Sequence, residues 1–377
     1  MWKIIQSMPL SFPMKTNRQK HARDKNLCYP TILSIVSSAT STARTRTSCR
    51  ACLLHTFFSW NLPFALLLVA SCFFMPSALA GDAPRVAASI LPIHSLVSGV
   101  MQGVGTPTLI VRGYGSPHTH RMRPSNAASL HRAELVFWVG DTLETFLERP
   151  LSSLSDTVRV IPLLETEGLV LHKNREGGLW ETHASHGHIH AHAASHAGYN
   201  PHIWLDPGNA RQLVKAIARH LRQFDPDHKA QYQANAKALS RRIRELEKRL
   251  DARFSGFQDM PYLVFHDAYL YLERRYGLRA VGSITSHPDR MPGAKRITRL
   301  RSFIQRLSIR CIFREPQFNA KLIGTAFQDM NIRIGELDPL GVHISPGPEH
   351  WFHTMDNLAD VIIGCLSQDR TKSFILP

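Results

Sequence analysis

The chain has 377 residues, enough for two ordinary domains, and its hydrophobic fraction of 44% is that of a globular protein. Its formal net charge of +16 suggests a nucleic-acid binder, but residues 1–80 hold half of that excess, with nine Lys or Arg and one acid. The other 297 residues have 36 basic and 28 acidic side chains and no basic motif interleaved with aromatic residues, so nucleic acid is excluded as the predicted partner.

Residues 1–80 are predicted to be a leader that is removed from the mature protein. No charged residue occurs in the thirty positions before Gly81, and this window ends in Ala-Leu-Ala, the small-residue pattern of a signal-peptidase site. We therefore predict a secretory signal that is cleaved after Ala80. Two alternatives stay open, an uncleaved membrane anchor and a lipoprotein processed at Cys72 in the sequence VASC. Residues 1–50 are long for a leader and fit a translation start further downstream.

Short apolar runs that alternate with helical patterns predict an α/β fold with mainly parallel sheets in two lobes. Four runs occur in the first half, VAASIL, TLIVRG, ELVFWVG and VRVIPLL, and four in the second, YLVFHD, RAVGSI, IRCIFREP and IRIGELDP. Strands that alternate with helices form parallel βα units covered on both faces. We predict an N-terminal lobe over residues 81–224 and a C-terminal lobe over residues 255–377.

A histidine-rich stretch, HASHGHIHAHAASH over residues 183–196, interrupts the N-terminal lobe. Its filler residues have no hydrophobic period, which predicts a loop. Imidazoles at this density bind zinc, copper or nickel in loosely defined ways, and the alternative is a solvated low-complexity linker. The histidines of this accessory metal loop are His183, His186, His188, His190, His192 and His196.

One long helix, predicted over residues 225–254, joins the lobes. Asp225 suits its N-cap and Pro226 its first position, and apolar side chains then recur at spacings of three and four. At a rise of 1.5 Å per residue the helix is roughly 40 Å long. We predict a rigid helix packed between the lobes of a monomer, in preference to a coiled-coil dimer arm. Its apolar positions are Tyr232, Ala236, Leu239, Ile243, Leu246 and Leu250.

Four candidate metal ligands outside this loop follow predicted strands. In open α/β sheets, ligands bind at the carboxyl ends of the strands. His118 lies in GYGSPHTHRMRPS and His202 in NPHIWLDP, whereas His266 ends the strand of YLVFHD and Asp338 follows a strand in GELDPLG. Taken singly, a histidine at a strand end is more often a hydrogen-bonded structural residue. Two candidates from each half, however, would place one metal ion between the lobes.

These motifs resemble, in order, those of one family. SPHTHRMRPS, HIWLDP, VFHDAY, CIFREPQF and LDPLG are similar to the zinc-binding solute receptors of bacterial ABC transporters, the ZnuA-like proteins, and AELVFWVG and SHPDRMPGAKRI fit the same pattern. The resemblance covers roughly residues 85–370. It implies a receptor that captures Zn²⁺ in the periplasm and delivers it to a membrane permease with its ATPase. It also implies two α/β lobes joined by a long helix, with a His-rich loop before the second ligand.

The resemblance further implies His118, His202 and His266 as zinc ligands, with Asp338 as a fourth ligand or a close neighbour. The family's Pro-His-x-Tyr motif here reads Pro-His-Thr-His, so His120 is an alternative first ligand. By the same resemblance, manganese receptors of this superfamily carry a carboxylate in the place of His266.

Three imidazoles and at most one carboxylate favour zinc as the bound metal. Zinc takes four nitrogen or oxygen ligands at about 2.0–2.2 Å. Manganese prefers an oxygen-rich shell, whereas copper accepts the same ligands and stays an alternative. Asp206 and Asp267, which lie close to the ligands in sequence, are expected to orient ligand rings.

The predicted mature chain keeps two cysteines, Cys311 and Cys365. An even number suits one disulfide in an oxidising compartment, and two buried thiols are the alternative. The resemblance favours the disulfide, because several members of the family have a matching one.

Two other functional classes compete with a receptor. A periplasmic zinc hydrolase uses three histidines and an open fourth position, but the chain has no H-E-x-x-H motif and no free acid that is an obvious general base at the site. A metal buffer that works through its histidine-rich loop leaves the strand-end motifs unexplained. We therefore predict a receptor and not an enzyme.

Overall fold

The computed structural model describes residues 81–180, 198–285, 292–318 and 320–367. The chain divides into two units, Met1–Pro76 and Ser77–Pro377, and every described residue belongs to the second. The predicted leader, residues 1–80, and the histidine-rich stretch, residues 183–196, lie outside the described residues. Within the described ranges, no helix is long and apolar enough to cross a membrane.

Four parallel strands form the sheet of the N-terminal lobe, as the apolar runs predict. They lie in the order β2-β1-β3-β4, with Val86 opposite Leu135 and Ala88 opposite Phe137. The strands are β1 (Val86–Ala88), β2 (Thr108–Leu109), β3 (Leu135–Trp138) and β4 (Arg159–Pro162). The helices between them are α1 (Leu91–Val100), α2 (Pro124–Arg132) and α3 (Thr145–Ser152).

Both faces of this sheet are buried. Alternate strand residues enter two different cores: Val86 packs with the cluster that includes α1, whereas Ala87 packs with Leu130 of α2 and Leu147 of α3. Successive side chains of a strand point to opposite faces, so a strand covered on both sides reads as a continuous apolar run. This explains why the sequence shows runs such as LVFW without polar alternation.

The C-terminal lobe repeats the arrangement with the strand order β6-β5-β7-β8, again all parallel. Its strands are β5 (Tyr262–Val264), β6 (Ala280–Ser283), β7 (Cys311–Arg314) and β8 (Arg333–Glu336). The helices that connect them are α6 (Leu270–Tyr276), α7 (Ala294–Arg306) and α8 (Ala320–Phe327). Because the two lobes share one topology, the carboxyl ends of both sheets present loops in equivalent positions.

Two long helices, α4 (Pro207–Phe224) and α5 (Lys229–Phe254), connect the lobes. The helix α5 has 26 residues and begins later than predicted, because the Asp225 carboxylate accepts the His228 N–H (3.4 Å) and ring (2.7 Å) within a turn after α4. The six predicted apolar positions of α5 are all buried. The helix packs against α1, α4 and the final helix α9 (His350–Ser367), which accounts for its buried stripe.

The approach of α1 to α5 is close. A Cβ placed on Gly99 of α1 would lie 2.8 Å from a methyl carbon of Leu239 on α5. A side chain at position 99 would therefore require the Leu239 side chain to move.

Cys311 and Cys365, which are 54 positions apart in sequence, form a disulfide with Cα atoms 6.0 Å apart. The bond joins the start of β7 to the end of α9. The predicted disulfide is confirmed, and it lies at the amino end of its strand, opposite the loops at the carboxyl ends.

Besides the linker helix, other parts of the chain cross between the lobes. Leu179, which belongs to the N-terminal lobe by sequence, is 2% exposed and packs in the core cluster of Leu263, Phe265 and Ile284. Its carbonyl oxygen accepts hydrogen bonds from the Arg296 side chain (2.5 Å) and from Ser283 N–H. Conversely, α9, which belongs to the C-terminal lobe by sequence, packs against α1 of the N-terminal lobe. The predicted lobe boundaries, residues 81–224 and 255–377, therefore stay a prediction.

Candidate metal centre

Three histidines come together at the carboxyl ends of the two sheets. His118 lies in the loop after β2, His202 immediately precedes the 3-10 turn Ile203–Leu205, and His266 follows β5. One ring nitrogen from each lies within 4.8 Å of the other two. In the part of the chain that the structure describes, no other three His, Cys, Asp or Glu residues are arranged in this way. The two lobes thus contribute to one cluster.

The space between the three rings is small. His202 is 4% exposed and His266 6%, and the ring centroids lie 5.2–5.5 Å apart. The space measures about 10 Å³, which is room for one water-sized sphere. This is the size of a single metal ion. The other residues that line it include Ser116, Trp204, Gln317, Phe318 and Leu340.

Two of the rings are held through their Nδ1 atoms. His202 Nδ1 lies 2.9 Å from the side-chain oxygen of Asn200, and His266 Nδ1 lies 2.7 Å from a carboxylate oxygen of Glu315. Both partners are buried. An Nδ1 that donates its proton to such an acceptor leaves the lone pair on Nε2, and the two Nε2 atoms face each other at 3.3 Å. Both rings are therefore oriented with a metal-binding nitrogen toward the centre.

Burial favours the neutral, metal-binding form of His202. It lowers the pKa of this ring well below its usual value, and the neighbouring His266 and His118 lower it further. For Glu315, burial raises the pKa of the carboxyl group, whereas the contact with His266 opposes that shift. His202 is consequently neutral at neutral pH.

The carboxylates that were expected to orient the rings act elsewhere. Asp206 accepts from Gly208 N–H (2.5 Å) at the start of α4 and pairs with Arg275 at 2.7 Å, and the Asp267 carboxylate pairs with Arg175. The expectation is wrong because neighbours in sequence point away from the cluster. The residues that contact the rings were missed, although they stand inside the quoted motifs: Asn200 opens NPHIWLDP and Glu315 lies in CIFREPQF.

Asp338 does not join the cluster in this structure. Its carboxylate accepts hydrogen bonds from Gln317 Nε2 (3.0 Å), Leu340 N–H (3.1 Å) and Val342 N–H (2.5 Å), and so supports its own turn. The fourth ligand stays a prediction.

His120, the alternative first ligand, is not part of the cluster either. Its ring packs against Phe146 with the centroids 4.8 Å apart. Burial lowers the pKa of this ring, and Arg123 adds to the effect. The six histidines between His183 and His196 lie outside the described residues.

A family model described as the periplasmic component A of zinc-uptake complexes, ZnuA, matches residues 86–365. The chain belongs to the ZnuA family. The high-affinity zinc uptake system protein ZnuA of Brucella suis is 41% identical over 329 residues, which cover 80% of this chain and 98% of that protein. The resemblance that the sequence motifs indicate is confirmed.

Solved structures agree with this membership at the level of the fold. A crystal structure of a ZnuA protein aligns with a TM-score of 0.61 at 21% identity, covering 74% of this ZnuA-family chain and 99% of the other. The solute-binding protein FpvC of Pseudomonas aeruginosa, in complex with Mn²⁺, aligns with a TM-score of 0.63 at 20% identity, covering 76% and 99%. The predicted fold class, two α/β lobes with mainly parallel sheets, is confirmed.

Proposed function

We propose that this protein captures Zn²⁺ in the periplasm through His118, His202 and His266 and delivers it to the permease of an ABC transporter, driven by the transporter's ATPase. It belongs to a family of periplasmic zinc-uptake components, and its relatives include high-affinity zinc uptake proteins. The work consists of binding and release, without covalent chemistry.

The spacing of the ring nitrogens is the observation that carries the proposal. With Zn–N distances of about 2.0–2.1 Å, the edges of a zinc tetrahedron are about 3.3–3.4 Å long. The Nε2 atoms of His202 and His266 lie 3.3 Å apart, and both point at the space that His118 closes. Zinc therefore requires almost no movement of these two rings.

The composition of the cluster supports zinc as the metal. Manganese seeks oxygen ligands, but the nearby carboxylates of Glu315 and Asp338 are engaged by His266 and by backbone N–H groups. Copper tolerates three imidazoles and is the alternative metal that a competition assay has to address.

The volume of the site favours a receptor over a zinc hydrolase. A hydrolase needs room for a substrate next to the metal and a base that is free to accept a proton. The space between the rings holds one small ion, and Glu315, the carboxylate beside the cluster, already accepts from His266.

We propose a monomeric receptor, exported by a signal peptide cleaved after Ala80, with lipidation at Cys72 as the alternative route.

Metal analysis of the mature protein, purified without an affinity tag, tests the proposal. We expect one tightly held zinc per chain that Mn²⁺ at equal concentration does not displace, in a competitive titration with a zinc chelator. Delivery is tested by reconstituting the permease and its ATPase in vesicles. Zinc-loaded parent protein should stimulate ATP hydrolysis, whereas a His266→Ala variant should not. A parent protein without a tight zinc site would contradict the proposal.

A further inference from the structure

We propose that Asn200 is a positioning residue that fixes the tautomer of His202 and ties this N-terminal-lobe ligand to the ligand turn of the C-terminal lobe. The inference rests on the proposed function of the histidine cluster. It assigns a role to a buried amide that the sequence motifs do not single out.

The orientation of the Asn200 amide follows from its neighbours. Its oxygen lies 3.1 Å from the His202 backbone N–H, which can only donate, and its nitrogen lies 2.6 Å from the backbone carbonyl of Asp267, which can only accept. A flipped amide would put donor against donor and acceptor against acceptor. Only one orientation is compatible with both contacts.

This orientation determines the protonation of His202. The same amide oxygen lies 2.9 Å from His202 Nδ1, and an oxygen that can only accept requires the proton on Nδ1. The lone pair is then on Nε2, which faces His266 Nε2 at 3.3 Å. Without Asn200, a neutral histidine would be free to place its proton on Nε2, where it blocks a metal ion.

The other half of the amide crosses to the C-terminal lobe. Asp267, whose carbonyl it contacts, directly follows the ligand His266. The backbone of Asn200 is held as well, because its carbonyl oxygen accepts from Tyr271 O–H (2.8 Å) on α6 and its N–H donates to the His172 carbonyl (2.9 Å). The side chain is 1% exposed. Asn200 thereby links two ligands that different lobes supply.

An amide suits this position better than a carboxylate. Aspartate would keep the acceptor for His202, but it has no donor for the Asp267 carbonyl and would add a buried negative charge. The two roles of Asn200 can therefore be separated by substitution. Asn200→Asp retains the tautomer function and loses the link between lobes, and Asn200→Ala loses both.

Asn209 provides the matched control. It is also 1% exposed, and its amide makes two hydrogen bonds to the backbone of Val170 (2.8 and 2.9 Å), but it contacts no metal ligand. Asn209→Ala should lower the melting temperature and leave the histidine cluster unchanged.

The experiment uses the full-length mature protein. Nitrogen-15 NMR of the imidazoles in the metal-free state reports the His202 tautomer, hydrogen exchange reports the stability of the His266–Ala268 turn, and competitive titration reports zinc affinity. For Asn200→Ala we expect mixed His202 tautomers, faster exchange in the turn and roughly 10- to 100-fold weaker zinc binding. Asn200→Asp should keep the Nδ1–H tautomer but show the faster exchange. Asn209→Ala should keep the tautomer and bind zinc within about twofold of the parent.

Parent-like tautomer and affinity in Asn200→Ala would overturn the inference, as would loss of the Nδ1–H tautomer in Asn200→Asp. The tautomer is measured without metal, so this result is independent of zinc binding. If instead the parent itself lacks a tight zinc site, the proposed function fails.

Discussion

The Nε2 atoms of His202 and His266 lie 3.3 Å apart, although the two histidines are 64 positions apart in sequence and belong to different lobes. If both rings carry their protons on Nδ1, two lone pairs face each other across this short distance. A cation bound by both nitrogens removes the repulsion, so the geometry of the cluster suits a metal ion. Each ring should therefore contribute strongly to zinc affinity.

Replacing His266 by Ala should weaken zinc binding by more than 100-fold. Loss of one of three nitrogen ligands removes a direct metal bond, and even a change next to a ligand typically costs 10- to 100-fold. Competitive zinc titration measures the effect, with the exposed His353→Ala as control. Unchanged affinity in the His266 variant would show that the cluster is not the zinc site.

The two histidines of the Pro-His-Thr-His motif should differ. His118→Ala removes a ring of the cluster, whereas His120→Ala removes a ring that packs against Phe146. We expect a large loss of zinc affinity for the first and a change below about threefold for the second. The same titration compares them, and the reverse order would move the first ligand by two residues.

Reduction of the disulfide should lower the melting temperature and leave zinc affinity nearly unchanged. In the chain-entropy model, a bond that closes a loop of this length stabilises the fold by about 4 kcal/mol. Cys311 lies at the amino end of β7, and the histidine cluster lies at the carboxyl ends of the strands. Calorimetry and zinc titration before and after reduction test both parts, and a parallel loss of affinity would contradict this separation.

Glu144→Gln should stabilise the metal-free protein at pH 8 and have little effect at pH 5. Glu144 is fully buried, and one of its oxygens accepts from Val139 and Gly140 N–H at 2.8 and 3.0 Å. Burial raises its pKa to about 7, against the opposing contacts with Ser89 and these N–H groups. The side-chain oxygen of glutamine can accept the same hydrogen bonds from Val139 and Gly140 N–H without a negative charge.

The sign follows from proton linkage. A carboxyl group whose pKa is raised in the folded state contributes stability that is present below its unfolded pKa and is lost as the pH rises to about 7. The gain for Glu144→Gln at pH 8 should be roughly 1–3 kcal/mol. Thermal unfolding at both pH values measures it, with the exposed Glu148→Gln as control. An equal gain at pH 5 would show that the charge is not the cause.

Deleting residues 183–196 should leave one tight zinc per chain and remove only weaker equivalents. A loop loses chain entropy when it wraps an ion, so its sites are weaker than a preorganised cluster. The loop should also empty first on acidification, near the ordinary imidazole pKa of about 6.5. Zinc stoichiometry at pH 7.5 and pH 6 tests this. If the deletion abolishes the tight site while His266→Ala spares it, the loop is the main site.

The sequence predicts the strands and the meeting of His118, His202 and His266 because both depend on local signals. Apolar runs mark buried parallel strands, and their carboxyl ends converge in this topology. The contact of Glu315 with His266 is not predictable in this way, because 49 positions separate the two residues. Asn200 lies only two positions from His202, but a local sequence pattern does not tell which neighbouring side chain turns toward the ring. The nearby carboxylates Asp206 and Asp267 were expected there instead, and both point elsewhere.

The same limit applies to the start of α5. Asp225 and Pro226 are typical of a helix N-terminus, yet the Asp225 carboxylate also accepts the Tyr232 hydroxyl (2.6 Å) and holds a turn before the helix. The preference of aspartate for helix N-termini cannot predict that the Asp225 carboxylate contacts the Tyr232 hydroxyl instead of capping the helix at position 225.

The burial of Leu179 in the opposite lobe bears on the use of this protein as a biosensor. Dyes on separate lobes report a change in distance only when the lobes swing apart, and here Leu179, α5 and α9 all bridge them. Energy transfer between such dyes should respond weakly to zinc. An environment-sensitive dye on the loop that carries His118, for example at the 57% exposed Tyr114, is the better reporter position.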